Sequence, residues 1–299
     1  MLLSKHSFLS RLKANRHGTD GIVSAFLSVL AGLSALLLFL VVLFLVRESW
    51  PVFSRGGWHM FLSGQDWYPL EGKFGLVPMV FASLAMMTGS VILAVPFGLA
   101  GAIFVRFYAP PVLARAYKIV MALLAGIPSV VFGLWGLTIL VPMIAHIQPP
   151  GSSLLAAILI LALMILPTVA LTSLAALDAI PRNILDGAQA LAMSRKGQIL
   201  FVAVPAARAG IIGGILLAMA RALGETMAVL MVAGNVVQNP DSLFAPVRAL
   251  TANIALEMAY ATDLHRASLF ASGLFLTGVV FLLSWLAFQA SERARYRSL

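Results

Sequence analysis

Long apolar runs separated by short polar stretches dominate this chain. Crossing about 30 Å of hydrocarbon takes about 20 helical residues. Six runs reach that length, over 22–46, 76–105, 117–145, 153–177, 206–234 and 267–288. They predict an all-α integral membrane protein with six transmembrane helices. The first run, Ile22 to Val46, is uncharged, and it exceeds the 7–15 residues of a secretory-signal core. Arg47-Glu48-Ser49-Trp50 follows at once, so an uncleaved span is expected. The implied organisation is a tail over 1–21, a membrane domain over 22–289 whose longest cytoplasmic segment is about 178–208, and a second tail over 290–299.

Composition agrees. Apolar residues make up 61% of the chain and charged residues 10%, where soluble domains carry about 25% charged. The mean hydropathy is +0.99. There is no cysteine, which excludes disulfides, a thiolate nucleophile and Cys-ligated metal. The net charge of +9 is spread along the flanks of the apolar runs, so it points to a membrane surface and not to nucleic acid. With the N-terminus inside, Lys5, Arg11, Lys13, Arg16, Arg106, Arg115, Lys118, Arg182, Arg195, Lys196, Arg208, Arg293, Arg295 and Arg297 are cytoplasmic. Only Arg47, Arg55, Lys73, Arg248 and Arg266 face the other side. The positive-inside rule then places both termini in the cytoplasm. Trp50, Trp58 and Trp67, in the first external loop, are expected as interfacial anchors.

Ionisable residues deep in a span are costly and mark function by default. Here they are Arg221 and Glu225, in the fifth run. Arg221 lies 13 residues past Arg208, about 20 Å along the helix axis. A spacing of four puts both side chains on one helix face within reach of each other. One reading is a self-neutralising pair that packs between helices. The other is a pair lining an anion path, the guanidinium offering a planar fork of donors and Glu225 keeping it ordered. The second is preferred because nonpolar residues would pack at lower cost. All five His lie outside the spans. A buried proton relay or hydrolytic site therefore lacks parts, and a secondary transporter lacks coupling-ion ligands. No Gly-x-x-x-x-Gly-Lys-[Ser/Thr] occurs, so nucleotide must bind elsewhere.

The cytoplasmic segment supplies the second concentration of signals. Pro181 suits a helix start and Gly197 a stop, with Ile184, Leu185, Ala188, Leu191 and Ala192 at helical spacing between them. This predicts a short amphipathic helix over 182–194. Gly187, Ala188, Ala190 and Ala192 keep its surface low, which suits seating in a protein groove better than resting on lipid.

At these segments the chain resembles the permeases of bacterial ABC importers. Asp186-Gly-Ala-x-Ala-Leu-Ala-x-Ser is similar to their cytoplasmic "EAA" loop, with Asp186 in the usual Glu place and Ala192 in the usual Gly place. The resemblance implies a type I permease fold in which Asp186, Gly187, Ala188, Leu191 and Ala192 belong to a coupling helix fitting a cleft in the ATPase. Ala125-Gly-Ile-Pro-Ser-Val-Val-Phe-Gly-Leu-Trp-Gly136, Leu166-Pro-Thr168 and Arg221-Ala-Leu-Gly-Glu-Thr-Met-Ala-Val229 resemble phosphate-specific permeases. Gly234-Asn235 and Leu250-Thr-x-Asn-Ile-Ala255 look like the PstC-type subunit. Ala82-Ser83 stands where Gly-Thr is usual. Thr226 follows Gly-Glu where sulfate and molybdate permeases carry an aromatic, so phosphate is expected over sulfate, with a permease for another oxyanion (sulfate, molybdate, phosphonate) as the alternative reading. The implied substrate pathway includes Arg221, Glu225 and Thr226. The implied partners are a homologous PstA-type permease, two cytoplasmic ATPase subunits that hold ATP and Mg, and a periplasmic or extracellular phosphate-binding protein. Membrane lipid surrounds the chain, in the bacterial cytoplasmic (inner) membrane. No cofactor is expected on this chain.

Overall fold

The computed structural model describes residues 4–64 and 66–296, with side chains described outside 4–20, 22, 55–63, 287 and 290–296. It divides into two units, residues 1–48 and 49–299, and helix α1 (Ser4–Ser63) runs through both. In the first unit every described side chain from Val23 to Val41 is exposed, giving an apolar surface on all sides. That is the surface of a helix immersed in lipid. Trp58 lies outside the described side chains.

In the second unit a hairpin, β1 (Trp67–Tyr68) and β2 (Lys73–Phe74), precedes α2 (Val77–Phe107). Then come α3 (Pro111–Gly126), α4 (Ser129–Trp135), α5 (Val141–Ala145) and α6 (Leu154–Asp178). The chain continues through α7 (Arg182–Ala190), α8 (Arg195–Gly197), α9 (Val204–Leu223), α10 (Met227–Val232), α11 (Leu250–Glu257) and α12 (Asp263–Tyr296).

Helix α6 is the central post, packed against α2, α3, α4, α9 and α10. Ile160, Leu161, Met164, Ile165 and Val169 are all but sealed from solvent. Small residues allow the approach, since lipid removes the hydrophobic drive between helices. A Cβ at Gly98 of α2 would lie 2.8 Å from Val169 Cγ1, and one at Gly214 of α9 would collide with the Thr172 side chain. The buried start of α6 leaves no amide unpaired that water would have to reach. The Ser153, Leu154 and Leu155 N–H groups donate to the carbonyls of Val232, Ala245 and Leu243, and the Ser153 hydroxyl caps Ala156.

Among the described residues five helices are long and apolar enough to span a membrane, and a bent pair makes the sixth. That pair is the predicted third span. It is not one straight helix, because α3 and the Ser129–Ala145 helix meet at 91°. Pro128 is the cause, since it forces Ile127 into extended backbone (φ −68°, ψ 129°). The fifth span also departs from 206–234. It is continuous from Arg195 to Leu223 and then breaks. Two wide π turns, Gly136–Leu140 and Gln198–Ala203, precede Pro142 and Pro205, with Val141 and Val204 donating five residues back. The wider turn takes the strain of a proline ring that would strike the carbonyl of an α turn.

Candidate functional site

The break after α9 changes the picture of Arg221 and Glu225. Arg221 sits in the last turn of α9, and Glu225 lies beyond its end, so the two do not share a helix face. No ion pair joins them among the described residues. Glu225 Oε1 instead accepts the Ala228 N–H at 3.1 Å, capping α10. Each charge is met by a helix end of opposite polarity. The terminal carbonyls of α9 favour the guanidinium, and the free amides of α10 favour the carboxylate. Within the turn the Thr226 hydroxyl donates to the Gly224 carbonyl at 3.4 Å. The pair expected from spacing is thus replaced by two caps on a discontinuous helix.

Arg221 is exposed, as are Leu217 one turn before it on α9 and Met227 at the start of α10, and its side chain carries no hydrogen bond or ion pair among the described residues. Glu225 and Thr226 are half-buried beside it. The break is packed in place from behind. Ala228 of α10 seats against Gly133 of α4, where a Cβ would lie 2.9 Å from Ala228 Cα. The extended Ile127-Pro128 corner therefore starts the helix that supports the break.

At the end of the bundle where α2 stops, the amphipathic helix is present but shorter than 182–194. Helix α7 stops at Ala190, and Ala192 takes φ +52°, the left-handed conformation usual for glycine. Gly197 is not a stop. It lies in the first turn of the next helix, where the Ser194 hydroxyl caps its N–H at 3.2 Å. A capping serine ahead of a long apolar run was the sequence signal for that start. Ala188 and Leu185 face the bundle, whereas Ile184 and Leu191 are exposed, Leu191 at 78%. Asp186 and Gly187 are exposed as well, and nothing lies within 4 Å of where a Cβ of Gly187 would stand. The segment is tied to the bundle through Arg195, which donates to the Phe107 carbonyl and covers the Tyr108 ring at 4.9 Å. Asp178, ending α6, pairs with Lys118 Nζ at 3.4 Å and with Arg106 Nε at 3.1 Å, the latter without hydrogen-bond alignment.

The end of the bundle where α2 begins holds a polar cluster that the sequence reading missed. Glu257, closing α11, accepts from Arg248 Nη1 at 2.7 Å and from Trp67 Nε1 at 2.8 Å, with His265 Nε2 at 2.8 Å. Arg248 also donates to Asn253 Oδ1 at 3.0 Å and, through Nε, to the Asn235 carbonyl at 2.9 Å. Trp67 is therefore not an interfacial anchor. It is 6% exposed and stands edge-on to Phe74 and His265, because its indole N–H has a buried carboxylate to reach. Trp50, 64% exposed, suits the anchoring role. Open cavities of about 690 and 360 Å3 flank Glu257. At the hairpin, the Glu71 carboxylate bonds exposed Lys73 at 2.8 Å and holds its ammonium pKa above the ordinary lysine value.

Known proteins align with this architecture. The family described as binding-protein-dependent transport system inner membrane component matches residues 94–296. The chain is 39% identical over 241 residues to the probable ABC transporter permease protein YqgH of Bacillus subtilis, covering 79% of this chain and 78% of that protein. It is 34% identical over 287 residues to the phosphate transport system permease protein PstC of Mesorhizobium japonicum, covering 89% and 88%. For the PstC of Haemophilus influenzae the identity is 31% over 310 residues, covering 96% and 98%. Among solved structures, a bacterial ABC transporter that imports the acidic polysaccharide alginate matches with TM-score 0.60 at 16% identity, over 87% of this chain and 95% of that one. The inward-facing MetNI methionine ABC transporter matches with TM-score 0.60 at 18% identity, over 77% and 99%. At such identities these two likenesses concern the fold alone.

Proposed function

The chain belongs to the binding-protein-dependent inner membrane components of ABC importers, and from that premise we propose that it conducts inorganic phosphate as a PstC-type permease subunit. The observation that carries the reading is Arg221, an unpaired guanidinium at a helix break, on a flank that the single chain leaves open. Against lipid that charge costs several kcal/mol (about 3 or more). A second, homologous PstA-type permease covering the flank would turn it into the wall of a shared conduit, where a tetrahedral oxyanion replaces the missing counter-ion. Glu225, holding α10, and Thr226, offering a hydroxyl beside the break, complete the contact region.

Two cytoplasmic ATPase subunits bind ATP and Mg and supply the power stroke, while this chain catalyses no reaction and binds no cofactor. Exposed Leu191 and Ile184 enter the ATPase cleft alongside Asp186, Gly187 and Ala192, while Ala188, buried against the bundle, holds the helix in place, and Arg195 passes the movement to the end of α2. A phosphate-binding protein loads the conduit from outside. The chain sits in the bacterial inner membrane with both termini in the cytoplasm, as the distribution of Lys and Arg requires.

The test is ATP-dependent phosphate uptake by the complete complex in liposomes. Arg221→Gln is expected to abolish most uptake with the complex still assembled. Glu225→Gln, which keeps an oxygen acceptor for Ala228, should retain most of it. Wild-type uptake by Arg221→Gln would overturn the reading.

A further inference from the structure

The motif Leu250-Thr-x-Asn-Ile-Ala255 has no part in the conduit as described, yet the structure engages its Thr251 hydroxyl and its Asn253 amide oxygen. Its helix, α11, is eight residues long, about 12 Å, and Leu250, Thr251, Ala252, Asn253 and Glu257 are buried in it. At its far end Glu257 gathers Trp67 from the hairpin, Arg248 from the loop before α11, and His265 from the first turns of α12. At its near end two bonds lock it to the membrane domain. The Leu250 N–H, first donor of the helix, has no cap from Ala249 and takes the Ser83 hydroxyl of α2 at 3.0 Å. The Thr251 hydroxyl donates to the backbone carbonyl of Glu225 at 2.8 Å.

The second bond answers a need created by the break. The Glu225 carbonyl lies between α9 and α10 and outside both helical ladders, and Thr251 is its donor among the described residues. The turn Gly224–Thr226 is thereby fastened to α11 and not only to its own helices. Arg221 is one turn upstream of the fastened carbonyl.

We infer that α11 is a strut connecting the outer loops to the break, and that Thr251 is the residue that positions Arg221 for import. This rests on the conduit reading above. A displacement of the hairpin or of the start of α12 reaches Glu257, passes along one rigid helix, and arrives at the backbone of Glu225. Thr251 itself touches no substrate.

The complete complex, reconstituted in liposomes with its phosphate-loaded binding protein, tests this with Thr251→Val, Thr251→Ser and Arg221→Gln. The readout is phosphate imported per ATP hydrolysed, a ratio that a mere loss of folded complex leaves alone. Valine keeps the shape of threonine and strips the donor. It is expected to lower the ratio about three- to tenfold, the effect of one hydrogen bond, and serine is expected to restore it. A wild-type ratio in Thr251→Val alongside failure of Arg221→Gln overturns the strut and leaves the conduit standing. Serine as defective as valine also overturns it, because the hydroxyl would then not be the cause. Normal import by Arg221→Gln overturns the conduit reading, and with it the strut's role in import.

Discussion

Glu257→Gln tests the cluster around Glu257 most sharply, because it removes a charge and leaves the outline of the side chain intact. The carboxylate side chain is 8% exposed, and those of its partners Arg248 and His265 are 20% and 14% exposed. One oxygen serves Trp67 and His265, and the other serves Arg248. A glutamine has one acceptor oxygen. Turned toward Trp67 and His265, it sets its NH2 against Arg248 Nη1, donor facing donor. The change forfeits a charge-assisted bond of about 1.5–3 kcal/mol. It also strands a partly buried guanidinium, which costs about 3–5 kcal/mol when burial is complete and less here, where water still reaches Arg248. A loss of about 2–3 kcal/mol in local stability is expected, or about 30- to 150-fold in the opening equilibrium. The chain has no cysteine, so a single Ser268→Cys provides a clean probe. Ser268 is fully buried one turn beyond His265, its hydroxyl donating to the His265 carbonyl, and a thiol there labels only on opening. Labelling should accelerate by the stated factor. The double variant with Arg248→Met should recover at least about 1 kcal/mol, because neither partner is then stranded. Labelling within threefold of the parent, or strict additivity of the two changes, would refute the assignment of Glu257 as counter-ion of Arg248.

Three further outcomes follow from the packing. Ser83→Ala removes the acceptor from the first amide of α11 and should cost about 1 kcal/mol, seen as faster hydrogen exchange at Leu250, with Ser83→Thr close to wild type. Ala192→Val places a branched side chain at φ +52°, adding to a left-handed cost of about 1–2 kcal/mol; binding of the ATPase to the permease should weaken roughly tenfold, and Ala192→Gly should bind at least as tightly as wild type. Gly98→Leu drives a side chain into Val169 and should lower the stability of the solubilised complex by about 1–3 kcal/mol in thermal unfolding.

The spans were legible because lipid imposes a length and an apolar composition that any sequence must display, and 76–105 and 153–177 fall on α2 and α6 almost residue for residue. The breaks were harder to read. Pro128 stands inside the apolar run 117–145, but composition carries no angle, and the 91° corner depends on what packs around Ile127. The spacing of Arg221 and Glu225 implied contact only if the helix continued. Gly224 hinted otherwise, and the competing cap at Ala228 was a local option that periodicity ignores. The cluster around Glu257 was invisible because Trp67 and Glu257 are 190 residues apart, and neither position is unusual by itself. The Ser83 hydroxyl illustrates the reverse. It looked like a departure from a pattern, and the structure shows a hydroxyl in use.

The π turn ahead of Pro205 has a consequence for rotation. Each such turn stores one residue more than a regular helix needs, so everything after it is rotated by about 100° relative to an uninterrupted spiral. A wheel drawn from Arg195 would therefore put Arg221 on the wrong side. Excising one residue from 198–203 would remove the surplus and return the turn to a regular helix, and the upper half of the span, with the guanidinium, would keep facing the flank it now occupies.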